Sequence, residues 1–288
     1  MKILVEFILC CSFLLAFDVE VSGEGAFNGK TTLLEFKNFK DIKYEQVHYA
    51  TKSFPILINP SNTKKSYALI PISYYEKSKI QELKIDYTDN NERRTKLLSI
   101  NINQVKYDKE EIHVNPSKVN PKAPDIKKLI AQEYHEAMNI YETVTNKSYI
   151  KDPFIMPIQS KITSAFGKAR VYNGSLKGYH SGTDFRAKTG TNIFAANCGK
   201  VVLVKNRFYS GVTVLIDHGR GIYTCYFHMS AFNVKEGEMV KRGEILGVSG
   251  QSGRVTGPHL HFSARINAVQ VDPLQLVSLM NNKILKGK

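Results

Sequence analysis

Apolar positions along this chain recur in two rhythms, and their alternation divides it into parts. Between 27 and 115, short apolar or alternating runs cover 31–37, 47–59, 66–73, 81–87 and 96–103, with a further run near 110–114. Asn59-Pro60, Ser61-Asn62 and Asp89-Asn90-Asn91 interrupt them. A period of two, punctuated by turn-forming residues, predicts strands, and several short strands of this kind predict a small β-sandwich. Residues 115–123 carry two prolines and no apolar period, which predicts a linker. Pro124 and Asp125 then open a helix of about twenty residues. Ile126, Ile130, Tyr134, Ala137, Tyr141 and Val144 recur at helical spacing, as a packing face would.

From Phe154 the period of two returns and glycines become dense. Gly237, Gly243, Gly247 and Gly250 separate short apolar runs within 234–250, the tight turns of a small β-barrel or sandwich. A strand is expected over 222–228, with Thr224, Tyr226 and His228 on one face and Cys225 on the other. Another is expected to begin near Asp184, after a loop containing Gly182. The predicted fold class is therefore mainly β: an N-terminal β-sandwich over 24–115, a linker and helix over 116–150, a second β domain over 151–280 and a basic tail over 281–288.

The first residues read as a targeting segment. Lys2 precedes an apolar run from Phe7 to Phe17, and Val21-Ser22-Gly23 offers small residues for cleavage before Glu24. This predicts a signal peptide over 1–23 and a periplasmic, envelope or secreted protein. Glu6 leaves an uncleaved anchor as the alternative. Cys10 and Cys11 lack the small residues that would precede a lipidated cysteine. No other stretch approaches the length of a membrane-spanning helix, so none is expected after cleavage. Cys198 and Cys225 remain; both read as small buried residues, and a Cys198–Cys225 bridge stays open as an alternative.

Chemistry concentrates between Gly178 and His261. Four of the eight histidines stand there at motif positions with one aspartate: His180 and Asp184 in Gly-Tyr-His-Ser-Gly-Thr-Asp, His228 in Tyr-Phe-His, and His259 and His261 in Gly-Pro-His-Leu-His-Phe. On a strand, residues two apart share a face, so both imidazoles of His-Leu-His enter one cleft. Imidazole and carboxylate suit zinc, and three such ligands with one open position make a hydrolytic site. His48, His113 and His135 are isolated and read as ordinary strand or surface residues. His218, between Asp217 and Gly219, reads as a structural turn residue.

The order H-x-x-x-D, Y-x-H, H-x-H resembles the LytM/lysostaphin-type zinc metallopeptidases, peptidase family M23. The resemblance runs from about Pro153 to Leu276. It includes ITSAFGKARVYNG (162–174), LIDHGRGIYTCYFHMS (215–230) and SGQSGRVTGPHLHF (249–262). It implies one zinc ion on His180, Asp184 and His261, with His228 and His259 flanking the water that is activated. Either of these histidines could be the general base and the other the oxyanion partner, and His228 is taken as the base. Tyr226 is expected to point toward the same cleft, as a candidate to steady the oxyanion or the substrate, with core packing as the alternative. Arg170 and Asn173 match positions near the groove and are candidate substrate contacts. The family acts on peptidoglycan, which implies a D,D-endopeptidase of cell-wall cross-links, with glycine-containing bridges as the alternative substrate. The N-terminal segment resembles, more weakly, the immunoglobulin-like domain that precedes the peptidase domain in some envelope endopeptidases. It could act as a spacer, a docking module or a lid, and a segment reaching the groove could supply a fourth ligand, with Asp152 and Asn173 among the candidates.

Two rivals belong to other classes. A catalytically silent wall-binding or amidase-activating module of the same fold would have lost ligands, and here all five positions are intact. Lipoyl- and biotinyl-carrier domains share the glycine rhythm of 234–250, but a carrier has no use for convergent metal-site residues.

Charge adds a partner class. The chain carries +14, and residues 151–288 hold 19 Lys and Arg against 7 Asp and Glu, a net +12. A field of that sign concentrates polyanions. For an exported hydrolase the expected partners are peptidoglycan and anionic wall polymers, not nucleic acid, and a monomer is expected.

Overall fold

The computed structural model describes residues 17–23, 25–113, 119 and 121–287. The alternating runs of the first hundred residues form strands that assemble into two sheets. One orders Val19–Ser22, Thr31–Lys37, Lys65–Pro71 and Leu57–Ile58. The other orders Ala26–Phe27, Glu92–Asn103, Ile80–Asp89, Ile42–Tyr49 and Lys52–Pro55. Apolar residues on their inner faces, among them Leu34, Phe36, Val47, Ile70, Leu83 and Ile85, are fully buried. Ala50, Asn90 and Asn91 have positive φ at the hairpin turns, a conformation Asn tolerates well.

Most of the expected leader, residues 1–16, lies outside the described residues. Val19–Ser22, inside its expected span, pairs antiparallel with Thr31–Lys37, Val19 opposite Phe36. The expected linker at 115–123 also falls largely outside the described residues.

The helix runs from Pro124 to Glu142, but its buried face differs from the expected stripe. Ala137 and Tyr141 are buried, as the spacing predicts; Tyr134 is 60% exposed and Val144 46% exposed, and Glu133 is buried instead. Glu133 is held because its carboxylate accepts the Phe208 N–H at 3.0 and 3.1 Å while its carbonyl accepts the Arg207 guanidinium. The helix thus covers the outer side of the C-terminal sheet, over Leu203, Leu215, Tyr223 and Cys225. Cys225 lies under Tyr141, whose hydroxyl is 3.3 Å from its sulfur, and both Cys198 and Cys225 are free thiols.

The C-terminal half is a strongly curled antiparallel sheet. Its central order is Ile162–Ser164, Thr183–Arg186, His259–Ile266, Ile222–Phe232, Gly211–Asp217, Gly199–Arg207 and Met239–Val240. A smaller sheet lies beside it. There Lys109–Ile112, from ahead of the helix, pairs in parallel with Ala169–Tyr172, which pairs in turn with Ser175–Tyr179. Asn173 and Gly174, at φ 48 and 80°, make the two-residue hairpin turn between the last two strands.

The two halves share a seam. Gln275 accepts the Thr31 N–H and donates to the Thr31 carbonyl. Asn59 and Ser61 donate to the carbonyls of Lys283 and Ile284. Tyr74 and Tyr179 stack with ring centroids 3.8 Å apart.

Candidate active site

Strand register builds the site. Asp184 stands directly opposite His261 in the Thr183–Arg186 and His259–Ile266 pair, and His261 stands opposite Phe227 on its other side. Cross-strand partners share a face, so the carboxylate and the imidazole rise together. His180 arrives from the loop before Thr183. Its N–H donates to the Lys168 carbonyl, and its own carbonyl accepts the Gly167 N–H. Gly182 makes that approach possible: a Cβ there would lie 2.6 Å from His261 Nε2 and 2.4 Å from the Phe262 carbonyl oxygen.

Three donor atoms converge. His180 Nε2 lies 2.9 Å from Asp184 Oδ1 and 3.0 Å from His261 Nδ1, and His261 Nδ1 lies 2.8 Å from Asp184 Oδ1. Of the described residues, only these three form a potential metal-ligand group of His, Cys, Asp or Glu, and Asp152 is not part of it. His180 Nδ1 is 2.8 Å from the Ala165 carbonyl oxygen, which can only accept, so that nitrogen carries the proton. His180 Nε2 therefore presents a lone pair toward a second imidazole nitrogen and a carboxylate. Such a crowd of buried acceptors calls for a cation, and two imidazoles with one carboxylate are a donor set that fits zinc. Phe227 stacks on His261 at 5.3 Å, fixing the ring plane.

Electrostatics agree. Burial raises the Asp184 carboxyl, and it is held well below the usual carboxylate range only where the His180 and His261 side chains donate or carry charge toward it, a role that a bound cation would take over. Burial pushes His261 down to about 4 despite the opposing pull of Asp184, which keeps its imidazole neutral. Asp184 Oδ2 accepts from Arg170 at 3.2 Å, and Arg170 also pairs with Glu110 at 3.0 Å. Arg170 is therefore committed to holding a ligand rather than free to touch substrate. Glu110 also accepts the Ser164 hydroxyl at 2.9 Å. Nothing in its local sequence marks this role, because it lies about seventy residues ahead of the first motif and reaches the site through the parallel pairing of Lys109–Ile112.

His228 and His259 flank the cluster, with ring centroids 4.9 Å apart. His228 Nδ1 donates to the Ser252 carbonyl at 2.9 Å, and His259 Nδ1 donates to the Gly257 carbonyl at 2.8 Å. Each is left with Nε2 as an acceptor. Burial, followed by the nearby His261 and His259, pushes His228 down to about 3. The five residues line a groove of about 590 Å³.

The structure places Tyr226 elsewhere. Strand alternation puts Thr224, Tyr226 and His228 on one face, but His228 has φ 62°, which breaks the alternation. Thr224 and Tyr226 stay in the core, Tyr226 fully buried, while His228 turns to the groove. The Tyr226 hydroxyl accepts the Ala196 N–H at 2.8 Å and lies 3.0 Å from Thr224 Oγ1. Thr224 Oγ1 is in turn 2.7 Å from Nε2 of His218, whose Nδ1 donates to the Cys198 carbonyl. Since Thr224 has one proton and His218 Nε2 must accept it, Tyr226 donates to Thr224 and its phenol is spent within the core. His218 is thus structural, as its sequence context suggests. Asn173, the other expected substrate contact, is exposed at its hairpin turn and does not line the groove.

Comparison with known proteins comes down to the same residues. The family model for peptidase family M23 matches residues 178–273. The chain is similar to the peptidoglycan DD-endopeptidase ShyA of Vibrio cholerae, at 38% identity over 122 residues, 41% of this chain and 28% of ShyA. It is also similar to the DD-carboxypeptidase/endopeptidase Mpg of Neisseria meningitidis, at 41% identity over 119 residues, 41% of this chain and 27% of Mpg. The matched stretches span less than a third of those relatives. A crystal structure assigned to peptidase M23, from Pseudomonas aeruginosa, superposes with a TM-score of 0.67 at 25% identity, covering 87% of this chain and 94% of that one. Ordered motif, sheet register and relatives agree: over residues 178–273 the chain carries a peptidase family M23 domain.

Proposed function

We propose that this chain is a zinc metalloendopeptidase that hydrolyses peptide cross-links of peptidoglycan, cutting D,D bonds that involve D-Ala. The observation that carries this reading is the meeting of His180 Nε2, Asp184 Oδ1 and His261 Nδ1 within 3.0 Å in a groove flanked by two further acceptor imidazoles. The named activities of ShyA and Mpg support the substrate class. The apolar run before residue 17 and the net charge of +12 over 151–288 support action in the cell envelope. No helix of the described residues is long and apolar enough to cross a membrane.

A zinc ion held by His180, Asp184 and His261 would supply Lewis acidity, polarising the scissile carbonyl and acidifying water. The chain's own residues do the rest. His228 is neutral over the working pH range and its Nε2 is free, so it accepts a proton from the attacking water and delivers it to the leaving amine. His259 sits 3.7 Å from the Asp184 carboxylate and is the more open of the two. Only when its Nε2 is also protonated would it donate to the oxyanion that forms at the carbonyl. Arg170, braced by Glu110, holds the Asp184 carboxylate in place.

The test uses purified full chain and cross-linked wall fragments, with and without a zinc chelator, read by mass spectrometry. Chelator-sensitive conversion of dimers to monomers with cleavage at D-Ala is expected. Zinc-loaded protein that binds the fragments but leaves every cross-link intact would overturn the reading, and cleavage at glycine bridges would move the substrate to the alternative.

A further inference from the structure

The groove holds an arginine that catalysis, as described, leaves unused. Arg254 lies in the loop between Ile245–Ser249 and His259–Ile266, five residues before His259. Its guanidinium carbon is 4.4 Å from the ring centroid of Tyr172 and 4.4 Å from that of Tyr209. Its backbone N–H donates to the Tyr209 carbonyl at 2.8 Å. Gly253 permits this contact, since a Cβ there would lie 2.5 Å from both Gly211 N and the Tyr209 carbonyl oxygen. All three side chains line the same groove as the five metal-site and flanking residues.

Two features separate Arg254 from Arg170. Arg170 is neutralised by Glu110 and Asp184, whereas among the described residues Arg254 has no carboxylate partner. Arg254 is also pre-positioned. Contact with aromatic rings uses the faces of a guanidinium and leaves its in-plane N–H groups to donate, in the fork geometry that matches a carboxylate. The loop ties that fork to the chemistry, because Ser252, two residues earlier, supplies the carbonyl that orients His228.

We propose that Arg254, held by Tyr172 and Tyr209, is a substrate-specificity residue that receives a carboxylate of the stem peptide. It makes the enzyme select peptides that keep a free acid close to the bond cut. This rests on the peptidase reading above. Two sources carry the same chemistry: the chain-terminal carboxylate and the side-chain carboxylate of a diamino acid.

The experiment compares three synthetic cross-linked stem dimers: all carboxylates free, the terminal one amidated, and the side-chain one amidated. Full-chain zinc-loaded wild type, Arg254→Lys and Arg254→Gln are each assayed for kcat and KM. Binding of the corresponding monomeric products is measured in parallel by calorimetry. Zinc content and melting temperature report folding. For wild type, one of the two amidations raises KM about 10- to 100-fold, as loss of a charge-assisted hydrogen-bond pair would. That amidation identifies the source. Arg254→Gln raises KM on the free-acid dimer by a similar factor and no longer distinguishes it from the amidated one, while kcat changes less. Arg254→Lys recovers part of the loss. Equal KM for all three dimers in wild type overturns the proposal. So does discrimination that survives in Arg254→Gln, which would shift the role to the exposed Arg186 on the same groove. If wild type cleaves nothing yet binds free-acid products better than amidated ones, and Arg254→Gln does not, the carboxylate site stands and the peptidase reading falls.

Discussion

The floor of the groove and its rim are assembled by different means. The floor is fixed by register: Asp184 faces His261 across one strand pair, and His180 is brought in over a glycine that no other residue could replace without collision. The rim is collected from remote segments, namely Glu110 and Ile112 ahead of the helix, Tyr172 on a hairpin, Tyr209 at a turn and Arg254 in a loop. Local spacing within a strand dictates the first arrangement. Tertiary packing dictates the second. The comparison teaches that the part of a site which holds a metal is written in short motifs, while the part that chooses a substrate is written in the contacts between segments.

Breaking the floor has the largest expected effect. Asp184→Ala or His261→Ala abolishes both bound zinc and turnover, checked by metal analysis alongside circular dichroism. Next comes His228→Ala, which retains zinc but lowers kcat by about 10²- to 10⁴-fold, the range for loss of a general acid–base group. Full activity in that variant would transfer the base role to His259. At the join of floor and rim, Glu110→Gln and Arg170→Gln each weaken zinc affinity by about 10- to 100-fold, as loss of a ligand's supporting partner does. A chelator competition titration measures this. Because both act through one carboxylate, the double variant falls no further than the worse single one; additive losses would separate them.

Away from the groove the effects are smaller. His218 is buried and pushed down to about 4 by desolvation. Between about pH 6.5 and 4 the unfolded chain binds a proton there and the folded chain does not. Stability therefore falls as pH drops through that window, by about 3 kcal/mol in all, and this contribution is flat below it. Denaturant unfolding of wild type and His218→Gln across pH 4–7 shows whether the dependence belongs to this residue. Tyr226→Phe is the mildest change. It costs about 1 kcal/mol for a lost core hydrogen bond and leaves kcat within a few-fold, whereas a phenol acting on the oxyanion would drop kcat about 100-fold or more.

The sequence was legible where a physical period is local. The strands Thr31–Lys37, Lys65–Pro71, Ile80–Asp89 and Glu92–Asn103, the helix start at Pro124 and the convergence of the five groove residues follow from spacing and residue type, whereas the single run expected over 47–59 is cut by the turn at Ala50 into Ile42–Tyr49, Lys52–Pro55 and Leu57–Ile58. It misled where tertiary packing overrides a local period. Tyr226 was expected to share a face with His228, but a single left-handed residue resets the alternation, and positive φ at histidine has no sequence mark. Tyr134 was expected to be buried, but Glu133 took its place because two backbone-linked partners were waiting for it across the sheet. Arg254 stood within the quoted flank of the His-Leu-His motif all along. Its signal was an arginine in a motif-bearing loop, but the two tyrosines that give it meaning lie 82 and 45 residues earlier in the chain.

The strand Lys109–Ile112 lies ahead of the residues that match the peptidase family, yet it completes the small sheet beside the metal cluster. A fragment beginning at residue 151 would keep every ligand and both flanking histidines. It would also leave Ala169–Tyr172 with one bare edge, a row of unsatisfied backbone donors and acceptors that invites pairing with another molecule. Its groove would be open on one side, and Arg170 would lose Glu110, one of its two carboxylate partners. Faster or slower turnover by such a fragment would then report a changed enzyme, prone to self-association, rather than the release of an inhibitor.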